Sequence, residues 1–196
     1  MLNKTLIVCE GLPGAGKTSV LQALQKRYDW YTNIDIVPEL VVPFDPLNEN
    51  NLALVLSNDE LKYYLYHNAP HHVIMDRGYP STLNWDYVLY KESRPNNFKE
   101  KMNWYLEKIN NKLFYPNIYL YFDVKINTSL QRKQLPPKID LPWSRPESLL
   151  IAKFYYDYFF KRIEPHVPVI YVNAEAHFDV VVEQVFNIVT KCLIER

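Results

Sequence analysis

Three of the four glycines in this 196-residue chain lie in one short stretch that a lysine and a threonine follow. The stretch reads Gly11-Leu12-Pro13-Gly14-Ala15-Gly16-Lys17-Thr18. Glycine lets the backbone approach a ligand closely and turn with positive φ. Inward-pointing amides at the start of a helix attract phosphate, because the helix dipole favours negative charge there. The spacing therefore predicts a polyphosphate site.

The sequence assigns separate tasks to the residues of this loop, the P-loop (residues 11–18). Lys17 is predicted to bridge the β- and γ-phosphates of ATP, and the Thr18 hydroxyl to hold Mg²⁺. The P-loop pattern is specific only between a strand and a helix, and patterns typical of both flank it here. The residues predicted to surround ATP are Gly11, Pro13, Gly14, Ala15, Gly16, Lys17, Thr18 and Ser19.

Charged residues follow two other predicted strands. Asp76 and Arg77 follow the third strand, where the aspartate is expected to bind Mg²⁺ and the arginine to clamp an anionic acceptor or the migrating phosphoryl group. A surface ion pair is the alternative. Ser81 joins them or caps the next helix. Glu39 follows the second strand and accepts a proton from an attacking hydroxyl or orients the acceptor, unless it is simply an exposed loop residue.

A basic, proline-rich segment at about 132–146 is predicted to form a lid. A closing lid excludes water and brings cations to the migrating charge, so Arg132 or Arg145 is expected to contact phosphate. A solvated basic loop is the alternative. Aromatic clusters on the helices are expected to pack in the core, whereas Trp85 is a candidate for stacking on a base.

Short apolar runs alternate with helical patterns along the chain. This order predicts a three-layer α/β/α fold with a five-stranded parallel sheet and ligands at the carboxyl ends of its strands. A capping box at Ser144 and Glu147 is predicted to open the long helix near the lid. The strands are expected at 6–9, 34–37, 73–75, 117–123 and 167–172. The helices are expected at 17–28, 50–66, 81–91, 98–114, 126–134, 144–162 and 178–194.

Composition restricts the class of partner. Hydrophobic residues make up 48% of the chain, and basic and acidic residues both number 22, which predicts one domain over 1–196 and no affinity for polymeric nucleic acid or membranes. The apolar run before the P-loop is too short for a signal peptide, so a soluble, cytoplasmic protein is expected. Cys9 and Cys192 are expected to be reduced.

Together these residues resemble the thymidylate kinase and deoxynucleoside kinase branch of the P-loop phosphotransferases. The segment 9–18 is similar to the phosphate loop of thymidylate kinases, including Glu10 before the first glycine. The segment 76–85 looks like the family's aspartate–arginine motif, with Ser81 at the same offset and the aromatic Trp85 four residues later. The fourth strand, the helix with Arg132, the basic lid and the long helix after it match the family's second half in order.

The acceptor half departs from thymidylate kinases. Their arginine-glutamate-proline-glycine-glycine motif is absent, and Val37-Pro38-Glu39 resembles deoxynucleoside kinases instead, in which this glutamate is the catalytic base. The segment from Glu39 to Asp76 is also shorter than expected for either relative, which predicts a trimmed acceptor pocket.

We therefore expect an ATP- and Mg²⁺-dependent kinase of nucleotide biosynthesis whose acceptor is a nucleoside monophosphate of the thymidylate type. The first alternative is a deoxynucleoside kinase that phosphorylates a 5′-hydroxyl with Glu39 as base. Further alternatives are a kinase of a non-nucleotide small molecule and a nucleotide-binding switch. The aromatic helices and the resemblance favour a homodimer. The predicted catalytic residues are Lys17, Arg77, Glu39, Arg132 and Arg145; the acceptor contacts are Glu39, Arg77, Ser81 and Trp85; the metal ligands are Thr18 and Asp76.

Overall fold

A computed structural model of the chain describes residues 4–27, 34–42, 52–133 and 141–194. Its five strands are β1 (Leu6–Gly11), β2 (Ile34–Val37), β3 (His72–Asp76), β4 (Ile118–Asp123) and β5 (Val169–Asn173). They form one parallel sheet in the order β2-β3-β1-β4-β5. The predicted five-stranded parallel sheet is confirmed, with strand ends that differ from the prediction by two residues or fewer.

Helices cover both faces of the sheet. They are α1 (Lys17–Gln25), α2 (Leu52–Asn68), α3 (Tyr79–Lys91), α4 (Phe98–Asn110), α5 (Ile126–Lys133), α6 (Pro146–Ile163) and α7 (Phe178–Ile194). Right-handed crossovers place α1 on one face and the helices between β2 and β5 on the other. Packing agrees, since α1 contacts α7 whereas α3 contacts α4 and α6. The predicted three-layer α/β/α fold is therefore confirmed.

The aromatic run of α6 is divided by the helical repeat. Tyr156 and Phe160 are buried and contact Tyr121 of β4, with ring centroids 5.4 and 5.1 Å apart. Phe154 and Tyr158 point outward and are 62% and 52% exposed. Core packing thus accounts for the inward half of this cluster, as the sequence predicts, and not for the outward half.

The region around the predicted lid departs from the prediction at the start of α6. The capping box at Ser144 and Glu147 is wrong: Arg145 is the residue before the helix, Pro146 opens it, and Ser144 Oγ donates to the Leu141 carbonyl at 2.7 Å. Proline suits the first helical position because its missing amide has no partner there in any case. Residues 134–140 of the predicted lid lie outside the described residues.

Two further sequence expectations can be compared with the described part of the chain. Cys9 is buried within β1, in keeping with its expected packing role, and both Cys9 and Cys192 are free thiols. In the ranges that the structure describes, no helix combines the length and apolar character needed to cross a bilayer.

Gly11 ends β1 where two strands lie close together. It pairs with Phe122 of β4 and has a φ of 143°, and a Cβ atom added to it would lie 2.6 Å from the Phe122 carbonyl oxygen. Gly16 also has a positive φ, of 88°, but nothing lies within 4 Å of its added Cβ. Both glycines have a positive φ, but only at Gly11 would a side chain also collide with the neighbouring strand.

We expect Gly11→Ala to lower the free energy of unfolding by about 3–5 kcal/mol, because backbone strain and overpacking add. Gly16→Ala should cost only about 1–2 kcal/mol, the strain of a left-handed alanine alone. Urea unfolding of the ligand-free variants measures both values. Equal losses in the two variants would contradict the packing described for β1 and β4.

Candidate functional site

A cavity of about 430 Å³ opens at the carboxyl edge of the sheet. The P-loop with the start of α1, the segments after β2 and β3, the helices α2 to α5 and the turn before α6 all contribute residues to it. The described residues around it are Pro13, Gly14, Gly16, Lys17, Thr18, Ser19, Glu39, Leu40, Val55, Asn58, Asp59, Lys62, Arg77, Gly78, Ser81, Thr82, Trp85, Lys101, Lys133 and Trp143. The cavity thus brings together most of the residues predicted for ATP and all four predicted for the acceptor.

Lys17 at the start of α1 is buried against the P-loop. Its ammonium group donates to the carbonyls of Gly11 and Leu12 at 3.0 and 3.1 Å. Burial lowers the pKa of Lys17 to about 8, and repulsion from Arg77 adds to the effect, while nearby carboxylates offset only part of it. The surrounding negative charge therefore does not fully stabilise the Lys17 ammonium, and a bound polyphosphate would add the missing charge.

Thr18 and Asp76 lie together beneath the cavity. The Thr18 hydroxyl donates to Asp76 Oδ2 at 2.5 Å, and Asp76 Oδ1 is buried without a hydrogen-bond partner among the described residues. A hydroxyl and a carboxylate are ligands that suit Mg²⁺, which commonly takes its other ligands from water and phosphate. The described residues hold no cluster of three or more metal-binding side chains, so any Mg²⁺ site here is of this open kind.

Arg77 connects the P-loop to the acceptor side of the cavity. Its Nη1 donates to the Gly11 carbonyl at 3.2 Å and to Ser81 Oγ at 3.0 Å, and its Nε lies 2.9 Å from Glu39 Oε1. The residue has a φ of 63°, which is uncommon for a side chain of this size. Two hydrogen bonds, an ion pair with Glu39 and a left-handed backbone hold the guanidinium in place.

Glu10 lies behind the P-loop and binds the first turn of α3. Its carboxylate is fully buried and accepts hydrogen bonds from the Gly78 amide at 2.8 Å, from the Ser81 hydroxyl and from the Tyr156 hydroxyl at 3.0 Å. Burial raises the pKa of Glu10, although these donors and Arg77 oppose the rise. Ser81 therefore joins Glu10 to Arg77 and does more than cap a helix.

Glu39 follows β2 and faces the cavity, and its side chain is 50% exposed. Burial by itself would raise the pKa of Glu39, but the positive charges of Arg77, Lys17 and Lys62 outweigh it and lower the pKa below its ordinary value. Glu39 is therefore an ionised carboxylate at neutral pH, beside Arg77 and open to a ligand.

Helix α2 supplies positioning residues that the sequence analysis missed. The Lys62 ammonium donates to the carbonyls of Asp76 and Arg77, both at 2.7 Å, and to that of Glu39 at 3.3 Å. Asn58 Nδ2 also donates to the Glu39 carbonyl, at 3.1 Å. Polar residues spaced by about one helical turn were the available signal, but the same spacing is typical of an exposed helix face.

The far wall of the cavity is aromatic. Trp85 of α3 meets Trp143 edge to face, with ring centroids 5.0 Å apart, and both line the cavity. The Lys133 ammonium lies 5.9 Å from the centre of the Trp143 ring. Trp85 is thus placed where a planar ring could stack, and Trp143 is an addition that the sequence analysis did not single out.

The two arginines predicted for the lid contact protein groups elsewhere. Arg132 Nη1 donates to the Ala174 carbonyl at 2.8 Å, and Arg145 Nη2 lies 2.5 Å from Glu92 Oε2. Neither is among the described residues that line the cavity. Their contact with phosphate stays a prediction, as do the roles of the other site residues.

The fold and the loop together define a protein of the P-loop α/β/α class. No protein-family model and no curated protein matches the chain. Its fold is similar to that of deoxyadenosine kinase from M. mycoides with bound dATP, with a TM-score of 0.74 at 18% identity over 94% of this chain and 98% of that one.

Two further structures of that enzyme are also similar. The one with the products dCMP and dCDP has a TM-score of 0.68 at 19% identity, and the one with bound dCTP has a TM-score of 0.63 at 18% identity. Each comparison covers 95% of this chain and 100% of the other. At such identities the likeness establishes the fold, which is that of these P-loop nucleoside kinases.

The pKa of Lys17 leads to a test of the P-loop. At pH 8.5 many molecules carry a neutral Lys17, and a bound polyphosphate stabilises the ammonium form, so we expect ATP binding to take up a fraction of a proton per site. Calorimetry in two buffers of different ionisation enthalpy measures this uptake. Lys17→Arg keeps the charge and should abolish the uptake, and an unchanged uptake in that variant would assign it to another group.

Proposed function

We propose that this protein is a deoxynucleoside kinase that transfers the γ-phosphoryl group of ATP to the 5′-hydroxyl of its acceptor. The observation that carries the proposal is the contact between Glu39 and Arg77, 2.9 Å apart, in the cavity that the P-loop also lines. A carboxylate in this position can accept the hydroxyl proton. The similar solved structures, which are of deoxyadenosine kinase, support the same class of acceptor.

Charge favours a hydroxyl acceptor over the monophosphate that the sequence analysis placed first. A phosphate dianion bound at Arg77 would lie beside the ionised Glu39. The negative charges of the phosphate and of the Glu39 carboxylate would repel each other. Of the cations on α2 and α4, Lys62 is bound to three backbone carbonyls and Lys101 is paired with buried Asp86. A neutral nucleoside needs none of these cations, so the observations support the deoxynucleoside alternative better.

The proposed transfer is a single displacement. The 5′-oxygen of the acceptor attacks the γ-phosphorus, the bond from that phosphorus to the β,γ-bridging oxygen breaks, and ADP leaves with the electron pair. The hydroxyl proton passes to the Glu39 carboxylate. Lys17 and Arg77 stabilise the negative charge that spreads over the migrating group, because both are held in place before the reaction begins.

Two residues have side-chain oxygens that suit Mg²⁺. The Thr18 hydroxyl and the free oxygen of Asp76 would hold the ion, which neutralises phosphate charge when it is bound. Wider expectations from the sequence stay predictions, namely the single domain, the homodimer and the cytoplasmic location.

The two alternatives of a non-nucleotide acceptor and a nucleotide switch receive less support. The paired tryptophans Trp85 and Trp143 offer flat apolar surface suited to a base. A protein that only binds a nucleotide and changes shape needs no carboxylate that accepts a proton from an acceptor hydroxyl.

Replacing the proposed base tests the function directly. Glu39→Gln keeps the size of the side chain but cannot take a proton, so we expect kcat for a deoxynucleoside to fall by about 10²–10⁴-fold. The KM for ATP should change by less than about threefold. Steady-state assays of ADP release measure both constants.

Glu60→Gln is the matched control. Glu60 lies on α2 and pairs with Lys108 at the surface, at 2.9 Å. This variant loses the same charge away from the cavity and should keep the original kcat. A Glu39→Gln enzyme that retains most of its kcat would rule out proton transfer to Glu39.

A further inference from the structure

Lys62 of α2 is a buried cation to which the proposed transfer assigns no task. The residue lines the cavity and is only 1% exposed. Its ammonium donates to the backbone carbonyls of Asp76 and Arg77, both at 2.7 Å, and to that of Glu39 at 3.3 Å. An ammonium has three N–H donors, so these three carbonyls occupy all of them. A ligand would receive a hydrogen bond from Lys62 only by displacing one of the carbonyls.

The three carbonyls lie where the pairing between β2 and β3 ends. Val37 and Met75 are the last paired residues of these two strands. Glu39 lies two residues beyond Val37, and Arg77 lies two residues beyond Met75. The Lys62 ammonium thus binds both chain segments just past the end of the ladder. Because these segments carry the proposed base and the arginine beside it, Lys62 connects the backbones of the two groups.

The left-handed backbone of Arg77 depends on the same ammonium. The Arg77 amide stays in the sheet and donates to the Cys9 carbonyl of β1 at 2.9 Å. In an extended strand successive carbonyls point in opposite directions, so one ammonium would not reach two in a row. The φ of 63° at Arg77 brings the carbonyls of Asp76 and Arg77 to one side, where both accept from Lys62. This conformation is unfavourable for a residue with a Cβ atom, and the two bonds to Lys62 compensate for it.

The backbone that Lys62 binds determines where two reacting side chains lie. Arg77 Nε is 2.9 Å from Glu39 Oε1, and Arg77 Nη1 donates to the Gly11 carbonyl at 3.2 Å. Both contacts require the backbones at Glu39 and Arg77 to keep one separation. Asn58 also donates to the Glu39 carbonyl, at 3.1 Å, and its Oδ1 accepts from the amide of Val41 in the same segment. Lys62 differs from Asn58 because it binds carbonyls of both segments.

We infer that Lys62 is a positioning residue for phosphoryl transfer, and that it does not bind the acceptor although it lines the cavity. Its ammonium fixes the separation of the Glu39 and Arg77 backbones and keeps Arg77 in the left-handed conformation. The guanidinium is then in place before the migrating charge develops, which is what makes its stabilisation of that charge effective. The inference rests on the proposed function for the role of Glu39, whereas the placement of Arg77 does not depend on the acceptor.

Lys62→Met provides the test because it nearly keeps the length of the side chain and removes all three donors. We expect kcat for deoxyadenosine to fall by about 10²-fold, since a displacement of about 1 Å in a reacting group has an effect of that size. The KM values for ATP and for deoxyadenosine should change by less than about threefold. A kcat within threefold of the original overturns the inference. So does a KM for deoxyadenosine that rises at least tenfold with an unchanged kcat, because Lys62 then binds the acceptor.

Lys62→Gln is prepared in parallel. It removes the charge but keeps two N–H donors on a shorter side chain, so its kcat should lie between those of the original protein and Lys62→Met. If Lys62→Met does not fold, Lys62→Gln takes its place, and the same two results overturn the inference.

Lys4→Met is the matched control. The Lys4 ammonium also donates to three backbone carbonyls, those of Tyr66, His67 and Ala69, at the other end of α2. The variant therefore loses an ammonium with the same kind of acceptors, but away from the cavity. Its thermal stability should fall while kcat stays within twofold of the original. If Lys4→Met lowers kcat as far as Lys62→Met does, a loosened α2 and not the placement of the reacting groups explains the loss.

Side-chain NMR of the ligand-free protein separates the inference from the proposed function. With isotope-labelled arginine, the Nε–H of Arg77 in its ion pair with Glu39 should give a slowly exchanging signal, which Arg77→Lys identifies by its loss. In Lys62→Met this signal should shift and exchange faster with water, whereas Lys4→Met should leave it unchanged.

The two claims can then fail independently. An unchanged Arg77 signal in a folded Lys62→Met protein overturns the inference even if deoxyadenosine is phosphorylated. A displaced signal supports the inference even if no deoxynucleoside is phosphorylated, in which case the proposed function fails alone.

Discussion

A guanidinium held between two carboxylates is the interaction on which the rest of the site depends. Arg77 contacts Glu39 directly and reaches Glu10 through the Ser81 hydroxyl, and it also donates to the Gly11 carbonyl. These contacts join the end of β2, the end of β1 and the first turn of α3. Without Arg77, Glu39 would lose its ion pair and the buried Glu10 would lose a positive charge that stabilises its ionised form.

The buried polar groups around Arg77 form a connected network. Lys62 satisfies the carbonyls of Asp76 and Arg77, while Tyr156 brings α6 to the Glu10 carboxylate. A buried network of this kind is rigid when its members are paired, since each unpaired group costs free energy. Two atoms of this network lack a hydrogen bond among the described residues, Asp76 Oδ1 and Arg77 Nε. Arg77 Nε lies in an ion pair with Glu39, and Asp76 Oδ1 lies where a magnesium ion is expected.

The sequence predicts those parts of the molecule that local pattern determines. The P-loop spacing, the apolar strands and the residues after them all lead to the correct sheet and to the correct edge, so Lys17, Glu39 and Arg77 are found in one cavity. The helix start at Pro146 was missed because an arginine and a proline follow Ser144, and the chain bends before a capping box can form.

The far half of the cavity could not be predicted, because its residues lie on helices whose sequence pattern does not indicate a site. Asn58, Asp59 and Lys62 read as an ordinary polar helix face, and only the packing of α2 over Arg77 and Glu39 makes that face internal. The motifs left the acceptor open, because the segment 9–18 resembles thymidylate kinases whereas Val37-Pro38-Glu39 resembles deoxynucleoside kinases. The pairing of Arg77, Lys62 and Lys101 in the folded chain is what supports our proposal of a hydroxyl acceptor.

The most direct test of this account is the identity of the phosphorylated product. The protein is incubated with ATP labelled at the γ-phosphate and with deoxyadenosine, its 5′-deoxy analogue or thymidine monophosphate, and the products are separated by chromatography. We expect labelled deoxyadenosine 5′-monophosphate and no transfer to the analogue that lacks the 5′-hydroxyl. Labelled thymidine diphosphate without any labelled deoxyadenosine monophosphate would contradict it.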